Sequence, residues 1–505
     1  MKQRANAVPL RQQVYLQLRS AIESGTFAAG SKLPPSREHA QALGVARNTV
    51  LWALERLRAE GYVVARVGDG SYVAPDLAAL RTPGRTPNRK RSAVLLPAAG
   101  LSQRGRLVAE TALRWRPPHT AITAYRIGTP AVDAFPFELW SRLERQLSAR
   151  VRQETAQYLA PAGHMPLREA IAQWLLVSRG IRCEPEQVVV TSGSQQAIDL
   201  IARLLLDPGD EVLVEDPGYL GIRACLVSHG IAVQPVPVDG QGLCIAEGAA
   251  RWPGARMAVV TPTHQFPLGV HMGLARRLEL LEWARAQRAW VVEDDYDGEF
   301  QYGEHRIPAL CSLPHGERVL YVGTFSKTLH PGLRLGFIVL PAALVDAFAS
   351  AKALSDRHSP GAVQEVLARF ITEGHLLRHL RRMRELYQQR QAVLIDSVRK
   401  ASGGALVLLP SGQGMHLVHE VGNEVDDTRL SRQAGEAGVY LAPLSLYCVE
   451  AQRKGWVLGY AGFDDAALRS AARTLGPLVR GQPRTPARLA RNLQDGVPGF
   501  APNLP

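Results

Sequence analysis

The chain of 505 residues lacks several features that define whole classes of protein. No stretch approaches the roughly 20 apolar residues of a membrane-spanning helix. The opening sequence, MKQRANAVPLRQQ, has no apolar segment typical of a secretory signal. The five cysteines are scattered without a CxxC pair, which argues against a zinc site and against a disulfide framework. We therefore predict a cytoplasmic protein without a bound metal and without a membrane partner.

Acidic residues are fewer than basic ones. The chain has 59 Lys and Arg against 46 Asp and Glu, a formal net charge of +13. Such an excess attracts polyanions, nucleic acids among them. A generally basic, Arg-rich proteome would give the same composition, so composition alone leaves both explanations open. The length predicts two or three domains.

Four regions differ in their pattern along the chain. Residues 8–74 show dense helical periodicity, whereas residues 75–118 are rich in Pro, Gly and Arg and indicate a linker with one short helix near 105–114. Residues 119–481 alternate between strand and helix patterns with Gly-rich joints. The Pro-rich residues 482–505 predict a disordered tail.

The first region predicts a helix-turn-helix followed by a hairpin. Apolar residues at Val14, Leu18 and Ile22 define one face of a first helix. In KLPPSREHAQALGVARNTVLWALERLRAEGYV, we expect Ser36 to cap a helix over 36–43, with a second helix at about 46–59. The next segment, YVVARVGDGSYVA, predicts two short strands around a Gly-Asp-Gly turn.

Polar side chains lie where such a motif meets DNA. Arg47, Asn48 and Thr49 begin the second helix, which enters the major groove, and Asn and Arg can read adenine and guanine edges. Ser36 and Arg37 begin the preceding helix, where backbone N–H groups favour a phosphate. The alternative is a small helical bundle with solvated arginines. The run G-x-x-LPPSRE-x-A, LGV-x-RNTV and L-x-x-EGY resembles the winged-helix domain of GntR-type bacterial regulators, which implies double-stranded DNA as a partner.

Four motifs in the long region each end a predicted strand in polar residues. They are VVVTSGSQQAIDL at 188–200, EDPGYLG at 215–221, AWVVEDDYDGEF at 289–300 and RVLYVGTFSKTLHPGLRLG at 318–336. In an α/β fold, the carboxyl ends of the strands form the ligand edge of the sheet. Together the motifs supply an amine, a carboxylate, hydroxyl groups and an anion-binding helix start, which pyridoxal phosphate requires.

This set resembles the fold-type I aminotransferases, which implies an α/β domain with a mainly parallel sheet between helices and a smaller C-terminal α/β subdomain. By resemblance, Lys327 bonds covalently to the aldehyde of pyridoxal phosphate, Asp294 pairs with the pyridinium nitrogen and Tyr296 contacts the ring oxygen O3′. Tyr219 stacks on the ring. The residues expected around the phosphate are Gly193, Ser194, Gln195, Thr324, Ser326 and Arg334.

Two assignments depend on a choice between neighbours. Strand alternation allows only one of Asp294 and Asp295 to face the site, and Asp294 shares its face with Tyr296. Aminotransferases usually have an asparagine near TPTHQFPLG to touch O3′. His264 and Gln265 are the polar candidates there, and we favour Gln265 as the substitute amide.

A GntR-type winged helix joined by a linker to an aminotransferase-like domain resembles the MocR-type bacterial transcription regulators. The strings TPTHQFPLGVHM, EDDYDGEF, GTFSKTL and GHLLRHLRRMRELYQQR are similar to that family. The resemblance implies a homodimer that binds paired half-sites in a promoter. It also implies a small-molecule effector, either an amine or amino acid or a vitamer such as pyridoxal phosphate itself.

The sequence departs from the enzymes of this fold at one point. In GWVLGYAG, Val457 stands where those enzymes have an arginine for the substrate carboxylate, although Arg453 and Lys454 are close enough to substitute. Gly221 stands where the GABA-responsive member of the family has an arginine, so a clamp of that type is not supported, and Arg223 is the nearest arginine. We predict an effector-sensing regulator and not an enzyme. The alternatives are a working aminotransferase with an added DNA-binding module, and a large domain that serves only as a dimerisation scaffold.

Overall fold

The computed structural model describes residues 9–66, 68–78, 100–115, 123–303 and 308–480. The chain divides into two compact units, Met1–Pro97 and Ala98–Pro505. The predicted tail at 482–505 lies outside the described residues, as does most of the predicted linker.

The first unit contains three helices and a two-stranded hairpin. Apolar side chains from all three helices and both strands form its core, and these include the predicted Val14, Leu18 and Ile22. The predicted helix-turn-helix and hairpin are therefore confirmed. The elements are α1 (Leu10–Ser24), α2 (Ser36–Leu43), α3 (Arg47–Ala59), β1 (Val63–Arg66) and β2 (Gly70–Val73).

The prediction that Ser36 caps α2 is wrong. Ser36 is itself the first helical residue, the cap position belongs to Pro35, and no side chain caps the helix. A capping side chain must stand just before the helix, with a non-helical backbone, to reach the first free N–H groups. The Ser36 hydroxyl instead accepts a hydrogen bond from Nε of Arg47 at 3.2 Å, which ties the starts of α2 and α3 together.

The second unit is built from alternating helices and strands. Its first helix, α4 (Gln103–Trp115), confirms the short helix predicted near 105–114. The strands are β3 (Val188–Thr191), β4 (Glu211–Asp216), β5 (Ala232–Asp239), β6 (Gly242–Leu243), β7 (Met257–Val260), β8 (Trp290–Asp295), β9 (Val319–Thr324), β10 (Gly336–Val339), β11 (His416–Val421), β12 (Ala442–Pro443) and β13 (Lys454–Gly459). The other helices are α5 (Phe137–Arg145), α6 (Ala149–Thr155), α7 (Met165–Arg179), α8 (Ser194–Leu205), α9 (Leu220–Ser228), α10 (Ile245–Arg251), α11 (Leu274–Gln287), α12 (Phe325–Thr328), α13 (Val345–Ser355), α14 (Gly361–Thr372), α15 (His375–Ser402), α16 (Asp427–Glu436) and α17 (Asp465–Val479).

An eight-stranded sheet with the order β3-β10-β9-β8-β7-β4-β5-β6 forms the centre of this unit. Strands β5, β4, β7, β8 and β9 run parallel to one another, whereas β10 is antiparallel to both β3 and β9, and β6 is antiparallel to β5. β9 is buried along its whole length, as expected for a strand covered on both faces. The carboxyl ends of β3, β4, β8 and β9 meet at one edge, because these strands share a direction.

The C-terminal part forms a second, smaller layer. Strands β11, β13 and β12 make a three-stranded antiparallel sheet, and α17 packs along the long helix α15. The predicted fold, a mainly parallel sheet between helices with a small C-terminal α/β subdomain, is confirmed. Among the described helices, none combines the length and apolar character needed to cross a membrane.

Candidate functional site

Lys327 lies at the ligand edge of the sheet. It belongs to the short helix α12, which directly follows β9, and its Nζ donates a hydrogen bond to the carbonyl oxygen of Gly128 at 2.8 Å. Gly128 has a positive φ of 69°, which favours glycine, and a Cβ atom there would stand 2.8 Å from Nζ, so the end of the lysine would have to move. Burial lowers the pKa of Lys327 below its usual value, against the opposing effect of Asp297 and Asp294. A lowered pKa increases the share of neutral, nucleophilic amine.

The last residues of β8 point to opposite sides of the strand. Asp294 is buried beside Lys327, and its Oδ1 has no hydrogen-bond partner among the described residues. Burial, with the charges of Asp295 and Glu215, raises the pKa of Asp294 to about 7. Asp295 is paired through one oxygen, because Arg179 lies 2.7 Å from Oδ2 and the Tyr321 hydroxyl donates to it at 2.6 Å, whereas its Oδ1 also makes no hydrogen bond among the described residues. A buried carboxylate without a donor is costly, and a protonated ring nitrogen would supply that donor.

Tyr296 is held by two residues that the sequence did not single out for this role. Its hydroxyl lies 2.9 Å from Nδ1 of His264, and the same nitrogen lies 2.9 Å from Oδ2 of Asp297. His264 and Asp297 are buried and Tyr296 is partly buried. Burial and the nearby carboxylates raise the pKa of Tyr296 well above its usual value. Asp297 is visible in EDDYDGEF, but its contact with a histidine 33 residues earlier in the sequence is not.

Gln265 does not take the position that we favoured for it. Its Nε2 donates to the backbone oxygens of Pro217 and Phe266 at 2.9 and 2.6 Å and to Glu215 at 3.2 Å. Its Oε1 accepts the N–H of Leu268 at 3.1 Å. Both ends of the amide are used to hold the loop, so the residue beside Tyr296 is His264.

The residues predicted to bind the phosphate at the start of α8 lie where β3 runs into that helix. Gly193 precedes the helix with φ at 88°, and Arg334 donates from Nη2 to the carbonyl oxygen of Ser192 at 2.7 Å. A Cβ at Gly193 would lie 3.5 Å from Nη1 of Arg334, so the guanidinium lies against the start of the helix. Ser194 is the first residue of α8, whose free N–H groups and dipole favour a phosphate.

The other predicted phosphate contacts have partners within the protein. The side chain of Thr324 accepts the N–H of Ser326 at 3.2 Å and caps α12. Gln195 donates from Nε2 to the carbonyl oxygen of Gly221 at 3.1 Å. Ser326 is partly buried, one residue before Lys327. The structure thus brings all six predicted residues to this edge of the sheet, where Arg334 lies against the start of α8.

Tyr219 stands immediately before α9, at the end of the loop that follows β4. Its ring meets Phe266 edge to face, with centroids 5.6 Å apart. Burial and the charge of Asp294 raise its pKa to about 12. Tyr219 is 37% exposed at the end of this loop.

Val457 is fully buried in β13, paired with Val418 and Ala442. Arg453 is held by Glu420, with Nη2 and Oε1 2.5 Å apart, and Lys454 lies 3.9 Å from Asp427. Both cations that were predicted as substitutes for the missing arginine thus have a carboxylate nearby.

A different arginine lies close to Lys327. The positive charge of Arg126 contributes to the lowered pKa of Lys327. The backbone of Arg126 crosses the end of β13, where the N–H of Gly459 donates to the carbonyl oxygen of Tyr125 at 2.9 Å. Sequence patterns could not identify Arg126, because it lies 201 positions before Lys327 and the fold alone brings the two together.

These residues fit pyridoxal phosphate. The site holds an amine with a lowered pKa, a buried carboxylate oxygen without a donor, and a helix start with an arginine beside it. When bound, the cofactor supplies an electron-withdrawing ring and an aldehyde that reacts with amines. Lys327, Asp294 and the residues around Gly193 would hold those three parts of the molecule.

The predicted DNA-reading residues form one surface on the first unit. Arg37, Arg47 and Asn48 are exposed, and Thr49 is partly exposed at the first turn of α3. The bond from Arg47 to Ser36 joins the starts of α2 and α3. The five residues therefore lie side by side.

Known protein families match both the DNA-binding unit and the larger domain of the chain. Residues 10–73 match the model of bacterial regulatory proteins of the gntR family, and residues 127–475 match that of aminotransferase class I and II. The chain is 38% identical over 93% of each chain to the probable rhizopine catabolism regulatory protein MocR of Rhizobium meliloti. It is 32% identical to the HTH-type transcriptional regulator TauR of Rhodobacter capsulatus, over 91% of this chain and 94% of that protein.

A solved enzyme structure shares the larger fold. LysN, an alpha-aminoadipate aminotransferase from Thermus thermophilus complexed with N-(5'-phosphopyridoxyl)-L-leucine, superposes with a TM-score of 0.66 at 29% identity. The superposition covers 74% of this chain and 97% of the enzyme. Full-length similarity, however, is to regulators that carry both halves. The chain belongs to the MocR-type branch of the GntR family, transcription regulators that join a DNA-binding winged helix to a pyridoxal-phosphate-binding, aminotransferase-like domain.

Proposed function

We propose that the large domain is a sensor in which pyridoxal phosphate, held at Lys327, receives an amine or amino acid, or is itself the effector. Occupancy of this site changes the affinity of the winged helix for promoter DNA. Such a change requires the ligand to bind two states of the protein with different affinities. The observation that carries the proposal is a packing contact between α4, the first helix of the second unit, and α9, the helix that begins immediately after Tyr219 of the site.

That contact joins α4 to α9. The two helices pack side by side, and Nη2 of Arg104 lies 2.9 Å from Nδ1 of His229, just after α9. His229 in turn lies 2.8 Å from Asp199 through Nε2. Because Arg104 can only donate, Nδ1 is the acceptor and the Nε2–H group donates to Asp199. α9 begins immediately after Tyr219, so a shift of that tyrosine on ligand binding would move the surface on which α4 rests.

The contacts near Lys327 favour binding over turnover. Val457 offers no charge to an amino acid's carboxylate, and burial leaves no room for a longer side chain. We propose Arg126 as the cation that attracts an anionic group of the effector, because its charge already acts on Lys327. This geometry allows slow half-transamination as a side reaction. We further propose a homodimer that presents two winged helices to paired half-sites.

The test compares operator affinity with and without a panel of amines, amino acids and vitamers, in the holoprotein and in Lys327→Ala. Lys400→Ala, an exposed lysine of α15, is the matched control. We expect one class of compound to change operator affinity in the wild type and in the control, and not in Lys327→Ala. An effector response that survives in Lys327→Ala would instead favour the scaffold role.

The runner-up function, a working aminotransferase, is supported by the 29% identity to LysN. It predicts repeated turnover when an amino acid and a keto acid are supplied together. Sustained product formation over many cycles, at a rate typical of enzymes (about 10 s⁻¹), would overturn the sensing proposal. Less than one equivalent of product per cofactor would support it.

A further inference from the structure

A cavity of about 310 Å³ lies on the second unit, between the end of α7, the segment after β8 and the first half of α15. Its volume is in the range that small-molecule sites occupy. None of the residues that line it is among those predicted to hold the cofactor. It is therefore a second concave site, separate from the one around Lys327.

Two polar atoms on the wall of this cavity make no hydrogen bond within the described residues. They are the buried Ser178 hydroxyl and the buried Nε of Arg179, which has only an ion-pair contact at 3.6 Å with Oε1 of Glu299. Buried polar groups in proteins are almost always hydrogen-bonded, so orphaned ones require an explanation. Both belong to residues that line the cavity, and because the two atoms are themselves enclosed, a polar ligand would reach them only with a small shift of the wall.

The wall also carries charges of both signs that are not used inside the protein. Arg381 and Glu385 stand one turn apart on α15, and neither forms an ion pair or hydrogen bond within the described part of the chain. Deeper in the cavity, Glu299 is shared between Arg179 at 3.6 Å and Arg384 at 3.5 Å. Arg381 and Glu385 thus lie near the rim of the cavity, and the paired charges of Glu299, Arg179 and Arg384 lie deeper.

We propose that this cavity binds a zwitterionic ligand of the amino-acid type, with its carboxylate at Arg381 and its ammonium group at Glu385. A purely anionic ligand would meet the charges of Glu299 and Glu385, and a purely cationic one would meet three guanidinium groups. A zwitterion satisfies both signs. Its remaining polar atoms would face the Ser178 hydroxyl and Nε of Arg179.

Occupancy of this cavity acts on the cofactor site through one residue. Arg179 lines the cavity and also binds Asp295, with Nη2 and Oδ2 2.7 Å apart. Asp295 is the chain neighbour of Asp294. A ligand that draws Arg179 toward the cavity weakens its pairing with Asp295 and increases the negative charge felt by Asp294. This coupling, unlike the second site itself, rests on the proposed role of Asp294 toward the cofactor.

The test uses probes that cannot react at Lys327. N,N-dimethyl amino acids with small, polar and aromatic side chains keep the zwitterion, but a tertiary amine cannot condense with an aldehyde. Binding is measured by calorimetry on four proteins. They are the wild-type holoprotein, the double variant Arg381→Gln/Glu385→Gln, the matched control Arg399→Gln at the far end of α15, and Lys327→Ala.

We expect one probe to bind each wild-type chain once, with the same affinity in Arg399→Gln and Lys327→Ala, and at least tenfold more weakly in the double variant. Because both altered side chains lie on the helix surface, the double variant is expected to fold, which its circular dichroism spectrum checks. The proposal is overturned if no probe binds the wild type, or if the double variant binds equally well. Binding that is lost only in Lys327→Ala would place the probe at the cofactor site and also overturn it.

Discussion

The substitution Asp294→Asn is expected to have opposite effects on the protein with and without its cofactor. Without pyridoxal phosphate, Asp294 is a buried acid with an unpartnered oxygen, and its pKa is raised to about 7. The folded protein therefore holds a proton there that the unfolded chain releases at lower pH. Stability from this residue is greatest below the unfolded pKa near 4 and is lost as the pH rises through about 7.

The size of this effect follows from the pKa. A rise of about three pH units at about 1.4 kcal/mol per unit sets an upper bound of about 4 kcal/mol at pH 8. Asparagine carries no charge, so Asp294→Asn should remove this penalty and stabilise the cofactor-free protein at pH 8, with little effect at pH 4. With the cofactor present, the same change removes the partner of the ring nitrogen. Loss of one member of a buried pair costs about 3 kcal/mol, so cofactor affinity should fall about 100-fold.

The assay is denaturant unfolding of the cofactor-free proteins at pH 4 and pH 8, together with fluorescence titration of the cofactor. Asp295→Asn is the control, because that carboxylate is paired with Arg179 in the interior and its loss should destabilise the protein at both pH values. If Asp294→Asn lowers the stability of the cofactor-free protein at pH 8 as much as Asp295→Asn does, Asp294 is a structural partner of other protein groups. The assignment to the cofactor would then be wrong.

Three further results are expected. Asn48→Ala should weaken specific DNA binding by about 1–3 kcal/mol at fixed salt, as measured by fluorescence anisotropy. The control Arg58→Ala changes an exposed residue in the last turn of the same helix and should have little effect. Equal losses of affinity in the two variants would contradict the docking of the start of α3 on DNA. Gly193→Ala places a side chain at φ 88°, at a cost of about 1–3 kcal/mol, and should lower the affinity for the cofactor. The control Gly404→Ala, at φ 81°, should leave that affinity unchanged. Unchanged affinity in Gly193→Ala would refute the placement of the cofactor's phosphate at the start of α8. Arg104→Gln should leave cofactor affinity intact and reduce the effector-induced change in operator affinity, because it removes the contact with His229. An unaltered effector response would show that this contact does not couple the cofactor site to DNA binding.

Much of the fold could be predicted from the sequence, because local patterns and the core agree. In the first unit, the apolar spacing from Val14 to Ile22 and the turn glycines were sufficient to place helices and hairpin, since helix period and turn chemistry are short-range properties. In the second unit, strand alternation separated Asp294 from Asp295. In the structure, Asp295 forms an ion pair with Arg179, which lies 116 residues earlier in the sequence. Strand alternation could not predict that partner.

The failures share one physical origin. Ser36 and Gln265 were assigned roles from residue type and position, yet a side chain's hydrogen bonds depend on which partner is closest in three dimensions. Gln265 finds four partners inside its own loop and with Glu215. The position of Arg126 near Lys327 and the contact between Arg104 and His229 both depend on the tertiary fold, so no local sequence pattern predicts them.

The central claim is that ligand binding at Lys327 controls DNA binding. The most direct test is the operator affinity of the holoprotein, measured at one salt concentration with and without the amine or amino acid that most perturbs the cofactor's absorbance. The account predicts a change of roughly fivefold or more in the wild type, the usual scale of allosteric coupling, and no change in Lys327→Ala. Equal changes in the two proteins, or sustained keto acid production with no change in operator affinity, would contradict it.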